Sequence, residues 1–108
     1  MGHFLMKGME LYMLSGKELK TRREALKMTQ QQIADLLCIG QNTVSRIETG
    51  LNDKLSLHIA YNGLLNELEQ SFIDTIEDAI DYCIPIPQSD IELYEKLKEG
   101  ANNGKKEG

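Results

Sequence analysis

Apolar residues recur along this chain at intervals of three and four, and almost nowhere in strict alternation. That period belongs to helices with one buried face. Ser15 and Glu18 have the spacing of a capping box, in which each side chain satisfies the other residue's backbone N–H, and Leu19, Ala25 and Leu26 follow on one face. A first helix is predicted from about Gly16 to Lys27. Thr29 and Gln32 repeat the arrangement, with Ile33, Ala34, Leu36 and Leu37 as the apolar face of a short second helix, about Gln30 to Leu37. After a break at Cys38-Ile39-Gly40, Val44 and Ile47 mark a third helix over Gln41 to Thr49, ended by Gly50, which tolerates positive φ.

Asn52-Asp53 is turn chemistry, and Ser56 is placed to cap a fourth helix with Ile59, Ala60 and Leu64 inward. Asn62-Gly63 is expected to weaken or end it. From Tyr61, larger apolar residues at 61, 65, 68, 72, 76, 80 and 83 step close to the helical period, opposite Glu67, Glu69, Asp74, Glu77, Asp78 and Asp81. This predicts a long fifth helix, about Leu64 to Tyr82. Both prolines lie within Cys83-Ile84-Pro85-Ile86-Pro87; beyond them Ser89 or Asp90 caps a further amphipathic helix with Ile91, Leu93, Tyr94 and Leu97. The tail 100–108, rich in Gly, Asn and Lys, has nothing to bury and is expected to be disordered.

Composition changes little in this picture. With 108 residues, 41% hydrophobic and 27% charged, the chain has the length of one ordinary domain, and two Phe and no Trp leave a core of Leu and Ile. The fold class is all-α. No run reaches the roughly 18 apolar residues of a membrane span, so integral membrane function is excluded. The apolar opening, Met1 to Leu14, is interrupted by Lys7 and Glu10 and lacks a small-residue cleavage site, so a cytoplasmic protein is expected. Cys38 and Cys83 have no CxxC spacing and read as free thiols, Cys38 as an inert, buried residue of its turn. His3 in the opening segment and His58, expected to face solvent, have no ligand set, and neither metal nor cofactor is implied.

Charge is distributed unevenly. The net −5 resolves into zero over residues 1–14, +2 over 15–58 and −7 over 59–108, the asymmetry of a protein of which only one part meets a polyanion. The same basic part holds two short helices across a three-residue break, the spacing of a helix-turn-helix whose second helix enters the major groove.

The residues Thr29-Gln30-Gln31-Gln32-Ile33-Ala34-Asp35-Leu36-Leu37 and Thr43-Val44-Ser45-Arg46-Ile47-Glu48-Thr49-Gly50 resemble the Cro and phage-repressor (Xre-type) family of DNA-binding domains. The resemblance implies a five-helix repressor-like domain over 14–68, preceded by an extension over 1–13. An acidic helical extension over 69–99, expected to dimerise, and the tail 100–108 follow. It further implies a sequence-specific transcriptional regulator, a repressor, that binds a pseudopalindromic operator in double-stranded DNA as a homodimer. By position, Gln30 becomes a phosphate contact, and Gln41, Asn42 and Arg46 become base-reading residues. Side-chain chemistry agrees, since Gln and Asn bond bidentately to adenine and Arg to guanine. Thr43, Ser45 and Thr49 are assigned phosphate or thymine-methyl contacts. Arg23 and Glu48 match a pair that in the family forms a partly buried ion pair.

Three positions depart from the family pattern. Cys38 stands where a Gly is usual and Gly40 where Ser or Thr is usual, which points to a turn displaced by one residue and a rotated third helix. Lys27 replaces a frequent Gly, and there complements the helix dipole. An alternative reading is an antitoxin-like or adaptor protein that binds a protein partner through the acidic helices of 64–99. Catalysis finds no support in the sequence, which has no Ser/His/Asp or Cys/His set and no phosphate loop.

Overall fold

A computed structural model of the chain describes residues 15–107; the extension over 1–13 lies outside the described residues. Five helices follow in order: α1 Gly16–Ala25, α2 Gln30–Leu37, α3 Gln41–Thr49, α4 Leu55–Asp81 and α5 Gln88–Glu107. Among the described residues there is no strand, and the class is all-α. The chain divides into two compact units, Met1–Asn66 and Glu67–Gly108, with α4 contributing to both.

The first unit is built from α1, α2, α3 and the first part of α4. Its fully buried side chains are Leu19, Ile33, Ala34, Val44, Ile47, Tyr61 and Leu65. Side chains seal the starts of α1 and α2. Ser15 Oγ accepts from the Glu18 N–H at 3.2 Å, and Thr29 and Gln32 form a reciprocal capping box at 3.1 and 2.8 Å. Gly16, the first residue of α1, lies against the end of α3. A Cβ there would stand 2.0 Å from the Ile47 carbonyl oxygen and 2.7 Å from that of Glu48, so only glycine permits this approach.

The helix ends share one device. At α1 to α4 in turn, a residue two or three past the helix, Met28, Ile39, Leu51 or Ile84, donates its N–H five residues back, at 3.1, 3.0, 2.8 and 2.8 Å. This is the Schellman motif, which needs a left-handed residue just before and favours an apolar residue at the donor. Those left-handed residues are Lys27, Cys38, Gly50 and Cys83, with φ of 61°, 59°, 85° and 56°. Three of the four therefore bear the cost of a side chain in a region that favours glycine. Lys27 does not extend α1, as the pattern suggested, but reverses the chain after it. At Cys38 the turn keeps its register, and Gly40 follows as the extended first cap of α3 with φ −79°.

Three expectations fail in α4. The fourth and fifth helices are one, because Gly63 weakens a helix by only about 1 kcal/mol and Asn62 faces a partner rather than breaking the ladder. Arg22 donates to Asn62 Oδ1 at 2.7 Å and to Asn66 Oδ1 at 2.8 Å, tying α1 to α4. The helix also starts at Leu55, so its phase differs: Tyr61 and Leu65 point inward, while Ile59 and Ala60 are exposed. His58 is likewise half-buried, its Nε2 3.0 Å from the Asn52 carbonyl oxygen, instead of facing solvent.

In the second unit, Ile73 and Ile76 on α4 are buried. Helix α5 starts at Gln88, where the Pro87 carbonyl accepts from Asp90 and Ile91, and doubles back so that Tyr94 and Lys98 reach Glu77 Oε2 at 3.0 and 3.2 Å. Both donors hold the Glu77 carboxyl below its ordinary range, the Tyr94 hydroxyl first. Past Leu97 the backbone stays helical to Glu107, where an irregular tail was expected; each further turn costs little once a helix is nucleated.

The glycines of the first unit should respond with opposite signs. Gly16→Ala drives a methyl into backbone and should cost roughly 3 kcal/mol, whereas Gly63→Ala enters open space on a helix and should stabilise by about 1 kcal/mol. Urea denaturation of the two variants checks the contrast, and a neutral Gly16→Ala would contradict the close approach.

At the helix ends, Lys27→Gly and Cys38→Gly should each stabilise by roughly 0.5–1 kcal/mol, and Gly50→Ala should destabilise by about 1 kcal/mol. Thermal melts of the three variants test whether left-handed residues hold these turns.

Candidate nucleic-acid interface

The outward side of α3 is decided by what its inward side must bury. Val44 and Ile47 are fully buried and Glu48 is 5% exposed, which leaves Gln41, Asn42, Arg46 and Thr49 exposed and Thr43 and Ser45 half-buried. Gly40 supplies no side-chain cap, so the first N–H groups of α3 lie open beside Gln41 and Asn42. Thr49 Oγ1 donates to the Ser45 carbonyl at 3.0 Å, leaving its methyl and its oxygen lone pairs for an outside contact.

Behind this row Glu48 collects four donors. Arg23 donates through Nε to Oε2 at 2.7 Å and through its second terminal nitrogen to Oε1 at 3.1 Å. The Tyr61 hydroxyl donates to Oε2, and Gln30 Nε2 donates to Oε1 at 3.0 Å. Arg23 also donates to the Met28 carbonyl at 2.7 Å, next to the left-handed Lys27. One carboxylate thus gathers α1, α2, α3 and α4. Burial by itself pushes the Glu48 carboxyl up, but the donors from Arg23, Tyr61 and Gln30 outweigh it and hold the group below its ordinary value. The bond to Glu48 raises the Arg23 guanidinium further, and burial, then the same carboxylate, pushes the Tyr61 hydroxyl far up.

Gln30 sits half-buried at the first position of α2, and both ends of its amide are engaged. While Nε2 donates to Glu48, Oε1 accepts from Gln41 Nε2 at 3.0 Å. The residue assigned to phosphate and the first base-reading residue are therefore in contact.

Residues 19–61 match the helix-turn-helix family. The match supports the resemblance of these residues to the Cro and phage-repressor type of helix-turn-helix. No curated protein and no solved structure matches the chain. In this helix-turn-helix, α2 and α3 are the two helices of the motif, and Cys38-Ile39-Gly40 is its turn. Cys38 is an exposed free thiol there, not buried, on a left-handed backbone, and Ile39 beside it is half-buried. Among the described residues no cluster of His, Cys, Asp or Glu suits a metal ion, and no helix is long and apolar enough to cross a membrane.

Sequence reasoning missed Tyr61 as a partner of Glu48, reading it as the start of an apolar stripe. The signal was there: a buried carboxylate has about four acceptor sites, more than one Arg fills. Gly16 left no such trace, since nothing in the local sequence says that another helix ends against it.

Acid should act on this helix-turn-helix through Glu48. Its folded-state affinity for a proton is lower than in the unfolded chain, so its contribution is complete above the unfolded value of about 4.3 and is lost as pH falls through the lower folded value. Urea midpoints between pH 7 and pH 2 should fall across that window. Glu48→Gln should lose roughly 3 kcal/mol at pH 7 and show a flatter acid limb; parallel acid limbs would remove Glu48 as the cause.

Proposed function

We propose that this DNA-binding regulator of the Xre type is a sequence-specific transcriptional repressor that binds a pseudopalindromic operator as a homodimer, in the cytoplasm and without catalysis or cofactor. The observation that carries the reading is the outward row Gln41, Asn42 and Arg46 on a helix whose other face is locked in the core. In a major groove such a row addresses base edges: the amides pair with adenine and the Arg46 guanidinium spans the two acceptors of guanine. Thr43, Ser45 and Thr49 flank it and contact phosphate oxygens or thymine methyls. Gln30 reaches a phosphate through the N–H that its bond to Glu48 leaves over, and Arg23 and Glu48 support the fold instead of reading bases.

Specific operators are normally read by two copies related by a two-fold axis. The dimer is assigned to residues 64–99. Along the stripe of α4, Leu65 and Ile76 are buried within the chain, Leu68 and Phe72 are half-buried, and Ile80 is 53% exposed. Tyr82 and Ile84 extend that apolar surface at 76% and 54% exposure. The same surface, set among acids, suits the second reading of an antitoxin-like or adaptor protein whose partner binds 64–99. The net −7 of the C-terminal half disfavours phosphate contact there and limits non-specific binding.

Selection of bound sequences from random duplexes with the full chain tests these assignments together. An inverted repeat should emerge, and Arg46→Ala should cost roughly 1–3 kcal/mol at one base pair per half-site while relaxing preference there. A site without dyad symmetry contradicts the dimer, and wild-type preference in Arg46→Ala removes Arg46 from the reading row.

A further inference from the structure

The first three turns of α4 carry no charge. From Leu55 to Asn66 there is no Asp, Glu, Lys or Arg, although Leu55, Ser56, Ile59 and Ala60 are all exposed there; past Asn66 the same helix carries Glu67, Glu69, Asp74, Glu77, Asp78 and Asp81. A helix that faces water keeps a polar, charged side toward it, and one without such a side is covered. Leu55 and Ile59, 46% and 61% exposed, stand one turn apart on this face. Leu51, 78% exposed, leads into them from the end of α3, where the Arg46 carbonyl holds its N–H. Whatever covers this row is small: three aliphatic side chains fall far short of the roughly 800 Å² that each partner of a stable protein–protein interface buries. A second copy is also at a disadvantage of concentration, because a tethered segment of the same chain meets the row at an effective concentration on the order of mM.

Such a segment starts beside the row. Gly16 packs against the carbonyls of Ile47 and Glu48 at the end of α3, and Leu51 follows Glu48 by three residues, so residues 1–14 join the domain at this point. Nine of those fourteen residues are apolar, and the charges of Lys7 and Glu10 cancel. Fourteen residues reach roughly 20 Å as a helix and more than twice that when extended, while Leu55 and Ile59 are separated by about 6 Å along α4. We propose that residues 1–14 form an intramolecular strap over Leu51, Leu55 and Ile59, in which the apolar segment and the apolar row bury each other. The strap closes from outside the same junction of α1, α3 and α4 that the bonds of Glu48 to Arg23 and Tyr61 close from within.

Isotope-edited NMR of the full chain separates the occupants. Side chains of residues 4–14 should show nuclear Overhauser contacts with the methyl groups of Leu55 and Ile59. In a mixture of labelled and unlabelled chains, selection of contacts between copies should remove them. Contacts to the row that survive this selection assign it to a second copy and overturn the proposal, and so does an Ile59 whose contacts all lie within α4. Substitution gives an independent readout. A bare surface position tolerates Ile59→Lys with almost no change in stability, whereas under the strap it should raise the unfolding constant roughly tenfold in urea and move the amide resonances of residues 4–14 to those of a free peptide. Ile59→Met, which keeps the contact apolar, should stay near wild type in both respects. From the other side, Phe4→Ser/Leu5→Ser/Leu11→Ser in the full chain should cost the same roughly tenfold, and adding Ile59→Lys to it should cost nothing further. Wild-type stability in Ile59→Lys, or losses that add in full when the two sets are combined, overturns the strap.

Discussion

A carboxylate taken out of water must be fully bonded or the fold loses several kcal/mol, and Glu48 is where this domain meets that constraint. Its two oxygens accept from Arg23 on α1, Gln30 on α2 and Tyr61 on α4, while the residue itself belongs to α3. Apolar contact alone holds helices together without fixing their angles. A shared ion with directional partners allows few arrangements, and the angle between α2 and α3 is among the quantities so restricted. The same group that orders the interior reaches the surface through Gln30 and Gln41, so stability and orientation of the outward row have a common origin.

The turns between these helices are also set by more than their lengths. Four helices end in the same hydrogen-bonded motif with an apolar residue just beyond, yet glycine occupies the left-handed position in one of them. Lys27 and Cys38 adopt that conformation because the surrounding contacts require it: Arg23 grips the Met28 carbonyl, and Ile39 and Gly40 pass directly into α3. Strain of this kind persists only where neighbouring structure over-determines the backbone. The motif's turn is thus held from both sides rather than by its own residues.

The long α4 shows how a local weakness is overridden. An Asn-Gly pair within a helix normally invites a break, but Arg22 bonds Asn62 and Asn66 on one face while Tyr61 and Leu65 are buried on the other. The start at Leu55 gives the phase that leaves Ile59 at the surface and brings Tyr61 to Glu48. A helix begun one residue later would turn its inward face by about 100° and leave the carboxylate short of a donor.

Much of the domain was legible in the sequence because its determinants are local. The caps at Ser15 and Thr29, the apolar pair Val44 and Ile47 and the stop at Gly50 lie within a few residues of what they control, and they place α1, α2 and α3 to within two residues. The helix-turn-helix pattern and its outward row followed from spacing and resemblance. What only the tertiary structure decided involves partners far apart in the chain: Gly16 against the end of α3, Tyr61 on Glu48, Arg22 on Asn62, and the amide chain from Glu48 through Gln30 to Gln41. Local pattern reports which side chains want burial. Which buried group meets which, and therefore where α4 starts and how Gln41 is turned, depends on the geometry of four helices closing on one charge, and no window of sequence contains that.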